Sequence, residues 1–189
     1  MMHSPEHTIL WRRLDLPGHD ICSLWKSANG WQLSGKAIFL FEQMPCLLAY
    51  EVSTSADWQT RTASISGHVG KTAVALTIAP LANGHWSVNG VEVPTAAGCV
   101  DLDLGFTPAT NLVAIRRLSL NIGARSPASA AWLDFPDFKL KQIEQQYQRI
   151  SSHEYAYVSP DAGYAATLEV DDYGAVTRYP DLWEQERSH

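Results

Sequence analysis

Asn83-Gly84-His85-Trp86-Ser87-Val88-Asn89-Gly90-Val91-Glu92-Val93 decides the class of the fold. An Asn-Gly pair tolerates the positive φ angles of a tight hairpin turn, and the segments on either side of Asn89-Gly90 are short and rich in β-forming residues. The sequence predicts a hairpin there, and Asn29-Gly30 repeats the signal nearer the start. Further out, Thr72, Val74, Leu76 and Ile78 recur with period two, as do Tyr164, Ala166, Leu168 and Val170, so each set shares one face of a half-buried strand. Ala37-Ile38-Phe39-Leu40-Phe41 and Cys46-Leu47-Leu48-Ala49-Tyr50 are apolar at nearly every position, which predicts strands covered on both faces. The protein is read as mainly β.

Nothing divides the chain. Its 189 residues hold no repeat or low-complexity tract, and prolines such as Pro80, Pro94, Pro136 and Pro160 fall singly where runs end, so a single domain over residues 1–189 is expected. Apolar residues make up 46% of the chain and charged residues 18%, enough for a core without disulfide or metal staples. Fourteen Lys and Arg against twenty Asp and Glu leave a net charge of -6, which argues against nucleic acid as the partner. The start, Met1-Met2-His3-Ser4-Pro5-Glu6-His7, lacks the apolar run of a secretory signal, and no apolar stretch approaches the ~18 residues of a membrane-spanning helix. A cytoplasmic location is expected, with Cys22, Cys46 and Cys99 as reduced, buried thiols.

Two segments are ambiguous. After Thr107-Pro108, Leu112, Ile115, Ser119 and Ile122 follow helical spacing, with Thr107 or Asn111 able to cap the start and Gly123 able to stop the run. Residues 112–122 also fit a strand, and the helix is preferred. Residues 138–150 suit a helix by propensity and a strand by the alternation of Gln146, Tyr147, Gln148 and Arg149.

The run Gly98-Cys99-Val100-Asp101-Leu102-Asp103-Leu104, then Thr107-Pro108-Ala109-Thr110-Asn111, then Ile115-Arg116-Arg117-Leu118, resembles the bacterial family named "putative glycolipid-binding", formerly a domain of unknown function. The flanking order is similar too: Tyr50-Glu51-Val52 with Asp57-Trp58, Gly84-His85-Trp86, Gln146-Tyr147-Gln148, Leu168-Glu169-Val170-Asp171 and Tyr179-Pro180, over nearly the whole chain. One departure is Ala114, where family members usually carry Pro. The resemblance implies a spiral β-roll, a many-stranded antiparallel sheet wrapped around a single central helix near residues 108–120. It also implies a homodimer and strand rather than helix at residues 138–150. The glycolipid function it implies rests on likeness of shape to lipoprotein carriers.

Within such a fold the charges need partners. Asp101 and Asp103 stand two apart on a strand and project from one face, while a buried guanidinium without an acceptor costs several kcal/mol. Asp101 and Asp103 are therefore expected to accept hydrogen bonds from Arg116 and Arg117, with Thr110 and Asn111 satisfying loop backbone. On this reading Asp103→Ala would orphan an arginine. The network is either an internal scaffold or the lining of a pocket in which the arginines hold an anionic head group and the aspartates hold sugar hydroxyls.

Other chemistries find no anchor. Gly70-Lys71-Thr72 lacks the upstream Gly of a phosphate loop, because position 65 is Ile65. Gly67-His68-Val69-Gly70 matches a GxxG loop, but in an acidic chain. The seven histidines show no metal-ligand spacing, and no serine-nucleophile elbow occurs. Seven Trp and seven Tyr suit either a packed core or an aromatic-lined cavity. The function expected is non-enzymatic binding of a glycolipid or similar amphipath, without cofactor or metal, by Asp101, Asp103, Asn111, Arg116 and Arg117. The alternatives are an enzyme acting on a sugar-containing molecule through Asp101 and Asp103, or a solid roll that serves as a protein-interaction module.

Overall fold

The computed structural model describes residues 4–187. Met1, Met2 and His3, used in reading the start of the chain, lie outside the described residues, as does His189. Eight strands come first: β1 (His7–Arg13), β2 (Gly18–Ser27), β3 (Gly30–Phe41), β4 (Met44–Ser55), β5 (Thr60–Val69), β6 (Thr72–Pro80), β7 (Trp86–Val88) and β8 (Val91–Val93). Each pairs antiparallel with the next. The Asn-Gly signals are borne out: Ser27 pairs with Gly30 beside Asn29, and β7 and β8 close around Asn89-Gly90, with Asn89 at φ 50° and Gly90 at φ 78°.

The chain then crosses the face of this sheet. Strand β9 (Asp101–Leu104), helix α1 (Asn111–Leu118), β10 (Arg125–Pro127), β11 (Ala130–Leu133) and β12 (Leu140–Ile143) follow. A second antiparallel run consists of β13 (Gln146–Arg149), β14 (Glu154–Ser159), β15 (Tyr164–Val170), β16 (Val176–Tyr179) and β17 (Trp183–Gln185). Because β17 pairs with β1, the two runs form one fourteen-stranded sheet, in the order β10-β13-β14-β15-β16-β17-β1-β2-β3-β4-β5-β6-β7-β8. The remaining strands make a small sheet, β12-β11-β9, in which β9 and β11 run parallel.

This corrects the spiral β-roll. The protein is mainly β with one central helix, but its large sheet is open, ending at β10 and β8, and a separate, partly parallel sheet stands beside it. The edges have a local cause. Each end strand is three residues long; β10 contains Pro127, which lacks an amide N–H, and Pro94 follows β8 directly. The expectation that β3 is covered on both faces is also overturned, because Ile38 is 55% exposed while Ala37 and Phe39 beside it are buried. Residues 138–150 are strand, as the resemblance implied, despite their helical propensity. Among the described residues no helix is long and apolar enough to cross a membrane.

The buried face of the large sheet holds the crossing segment in place. Leu33, Phe39, Leu48, Val52, Ile65 and Ile78 join Leu102, Leu104 and Leu112 in one hydrophobic core. Two side-chain hydrogen bonds fix the approach to β9: the Trp86 indole donates to the Cys99 carbonyl at 3.1 Å, and the Leu102 amide donates to Thr60 Oγ1 at 3.3 Å. Ala114 and Ile115 on the helix pack instead with Tyr147, Tyr155, Tyr157 and Leu168.

Candidate functional site

The loop from β9 to α1 carries the polar residues of the site. Thr107 accepts the Ala109 amide at 3.1 Å, and Thr110 accepts the Leu104 amide at 3.2 Å while its hydroxyl donates to Asp103 at 3.2 Å. Thr110 is the helix N-cap, yet its oxygen is engaged with the strand, so neither it nor the expected Thr107 or Asn111 caps the helix by side chain. The helix stops at Ser119, at φ 44°, four residues before Gly123. It is short because Ser119 already turns left-handed.

Of the expected ion pairs the structure forms one. Arg117 donates through Nε and Nη2 to the two carboxylate oxygens of Asp101, at 2.7 and 2.6 Å. Asp103 meets no arginine; its oxygens accept from Thr110 and from Gln145 Nε2, the latter at 2.5 Å. Successive helical residues point about 100° apart, so Arg116 and Arg117 cannot both face β9. Arg116 lies over the Trp58 ring at 5.4 Å and lines a separate polar pocket with His153, Tyr155 and Asp171. Asn111 donates to the Tyr147 hydroxyl at 2.8 Å rather than to loop backbone. The orphaned arginine expected from Asp103→Ala is thus corrected: the arginine's partner is Asp101.

Asp103 and Asn111 do share an opening. Together with Thr107 they line one side of a cavity of about 230 Å³, with Trp132 and Trp183 also in its lining. Its other wall is tyrosine. Tyr157, Tyr164 and Tyr179 have ring centroids 5.4 to 6.3 Å apart and pack on one another at tilted or edge-on angles. Gly105 and Ala162 are its exposed members. At Gly105 any side chain would collide with the Trp132 indole, since a Cβ there would lie 2.6 Å from its Nε1.

Burial sets the protonation of these groups. Loss of hydration pushes the Asp103 carboxyl up to about 6, although the bonds from Gln145 and Thr110 pull it down. Burial likewise raises the Tyr157 and Tyr179 hydroxyls above their ordinary range, so both remain neutral donors. Ser159 is 2% exposed and its Oγ has no hydrogen-bond partner, although it lines the cavity. A buried hydroxyl without a partner is uncommon in a folded protein.

Behind Thr107 lies a second carboxyl that sequence reading did not single out. Asp20 is fully buried; it accepts from the Thr107 hydroxyl, and its two oxygens lie 3.1 and 3.0 Å from the donating Tyr50 hydroxyl, while burial pushes its carboxyl up to about 7. Its only sequence signal is an acidic residue at an inward-facing position of β2. The tyrosine wall was equally hidden, because Tyr157, Tyr164 and Tyr179 come from three different strands. Tyr147→Phe should leave the Asn111 amide buried without its acceptor and lower stability by about 1–2 kcal/mol in urea denaturation; an unchanged midpoint would contradict the bond.

The geometry can be set beside known proteins. A family model described as "Putative glycolipid-binding" matches residues 8–185. No curated protein matches. Among solved structures, a crystal structure of a DUF1089 family protein from Pseudomonas aeruginosa is similar at a TM-score of 0.77 and 26% sequence identity, covering 97% of this chain and 95% of that one.

Proposed function

The chain belongs to the "putative glycolipid-binding" family, and on that premise we propose that it binds an amphipathic ligand whose polar end sits in the cavity between α1 and the tyrosine wall. Asp103 and Asn111 contact that end. Asp101 and Arg117 hold β9 against the helix behind it. The observation that carries this reading is the cavity itself: an aromatic opening with a few convergent polar groups is the usual form of a small-molecule site. Its volume, about 230 Å³, is below the ~300 Å³ floor of pockets for drug-sized ligands, so it takes one end of an amphipath and not the whole.

Binding is favoured over catalysis by the carboxylates. An acid and base pair for glycoside chemistry needs two carboxyl groups facing the substrate. Asp101 is engaged with Arg117, and Asp103 is the one carboxyl lining the cavity among the described residues.

The test is lipid extraction and native mass spectrometry of protein purified from its host, beside Ala162→Trp. Ala162 is exposed at the opening, so a bulky ring there should obstruct entry with little effect on melting. Wild type should carry an amphipath, and the variant should retain less than about a tenth of it, a loss of ~1.4 kcal/mol or more in binding. Wild type that is consistently empty, or equal loading of both proteins, would overturn the reading.

A further inference from the structure

We infer that the polar pocket at the end of α1, apart from the cavity above, is a binding site for a phosphomonoester group, with Arg116 and Arg149 as its cations and the Tyr155 hydroxyl as a further donor. The pocket has a volume of about 430 Å³, and Trp58, Ser119, Ser152 and His153 also line it. The first reason is unmatched charge. Arg12, Arg13, Arg117 and Arg178 each meet a carboxylate; among the described residues neither Arg116 nor Arg149 does. Two guanidinium groups sharing a pocket without a counter-charge repel one another, and they do so in a chain of net charge -6, which has carboxylates to spare.

The second reason is that both cations are held in place. Arg149 donates through Nε, Nη1 and Nη2 to the Ser151, Leu120 and Ser152 carbonyls at 3.1, 2.9 and 3.4 Å, which fixes the group without neutralising it. Arg116 is placed by packing: its guanidinium lies over Trp58, and its stem passes Gly174, where a Cβ would come within 3.4 Å of Arg116 Cδ. Both charges act on the Tyr155 hydroxyl and favour its ionised form, but burial outweighs them and keeps it a neutral donor. The third reason is that the carboxylates on this rim are engaged elsewhere. Asp171 accepts the Tyr173 and Ala175 amides through one oxygen, and its other oxygen lies 2.7 Å from His7 Nε2. Asp172 lies 2.9 Å from His153 Nε2, with a side chain 92% exposed to water. A phosphomonoester at neutral pH carries nearly two negative charges on three acceptor oxygens, so it can answer two guanidinium groups and a hydroxyl together. A monocarboxylate brings one charge and two oxygens.

Calorimetric titration of the intact protein at pH 7.5 and low ionic strength, with glycerol 3-phosphate and with acetate, tests the assignment. Glycerol 3-phosphate should bind at least tenfold more tightly than acetate. Arg116→Met keeps an apolar stem against Trp58 and Gly174 and removes the charge, so it should weaken phosphate binding at least tenfold and leave the melting temperature unmoved. Tyr155→Phe should weaken it several-fold. Arg12→Met, which removes an exposed arginine paired with Glu184, should change it less than twofold. Flotation with phosphatidylcholine vesicles, with and without phosphatidic acid, separates a lipid head group from a soluble ester. Binding of either phosphate probe that is lost in Arg116→Met supports the site, and the probe that binds identifies the source. Binding of neither, acetate binding as tightly as glycerol 3-phosphate, or equal losses in Arg116→Met and Arg12→Met would overturn the inference. None of these outcomes bears on the amphipath reading of the cavity, which shares no lining residue with this pocket.

Discussion

Asp101→Ala is expected to lower the free energy of unfolding by about 3 kcal/mol, the low end of the range for breaking a buried ion pair from one side. Asp101 is 2% exposed, and its partner Arg117 is 21% exposed, so the abandoned guanidinium recovers part of its hydration. The two parallel N–H···O bonds make this a fork-to-fork pair, the strong kind. By contrast, Arg12 and Glu184 meet at 3.0 Å but are each about half exposed, and such pairs contribute under about 1 kcal/mol. Urea denaturation of Asp101→Ala, Arg117→Met and the double variant Asp101→Leu/Arg117→Met checks the claim. The double variant should be more stable than Asp101→Ala, because it leaves no unmatched charge. A loss below about 1 kcal/mol for Asp101→Ala, or a double variant less stable than the single, would show that the pair does not hold β9 to α1.

Stability should also fall as pH rises from about 4 to 7. The Asp20 carboxyl is raised in the folded protein from 3.8 to about 7, and that of Asp103 from 3.8 to about 6, both chiefly by burial. Between those values the folded state holds protons that the unfolded state has released. Stability then decreases with pH across that interval, and the part due to these two groups is fully present below pH ~4 and gone above pH ~7. For Asp20 the difference of roughly three pH units corresponds to on the order of 4 kcal/mol. Asp20→Asn keeps an acceptor for Tyr50 and cannot ionise, so it should be more stable than wild type at pH 8, with the advantage vanishing near pH 4. Urea midpoints at pH 4, 6 and 8 give the comparison. A wild-type profile flat over this range, with no gain from Asp20→Asn at pH 8, would contradict the buried-carboxyl account.

Local sequence was a good guide wherever neighbours in the chain settle the outcome. Asn89-Gly90 fixed its hairpin because the φ angles a tight turn demands are a property of two residues. The alternation at Thr72, Val74, Leu76 and Ile78 found the inward face of β6, where Val74 and Ile78 are buried. The start of α1 was legible too, within a few residues of Pro108. Where the outcome depended on strand pairing, local sequence left two readings open and the family resemblance pointed to the strand that forms. Residues 138–150 have helical propensity but pair as β12 with β11 and as β13 with β14, since the ladder hydrogen bonds to those neighbouring strands outweigh a preference of tenths of a kcal/mol per residue.

The sequence by itself determined that this is a β-rich chain with a strand bearing two aspartates, because turn chemistry and side-chain periodicity act over a few residues; the single helix was what the family resemblance implied. Only the tertiary structure decided that Arg117 takes Asp101 while Asp103 turns to the cavity, that the arginines leave that cavity without a cation, and that three tyrosines from β14, β15 and β16 form its wall. Those outcomes follow from helix rotation and strand register, which place residues far apart in the chain within a few ångströms of one another and which no local pattern encodes.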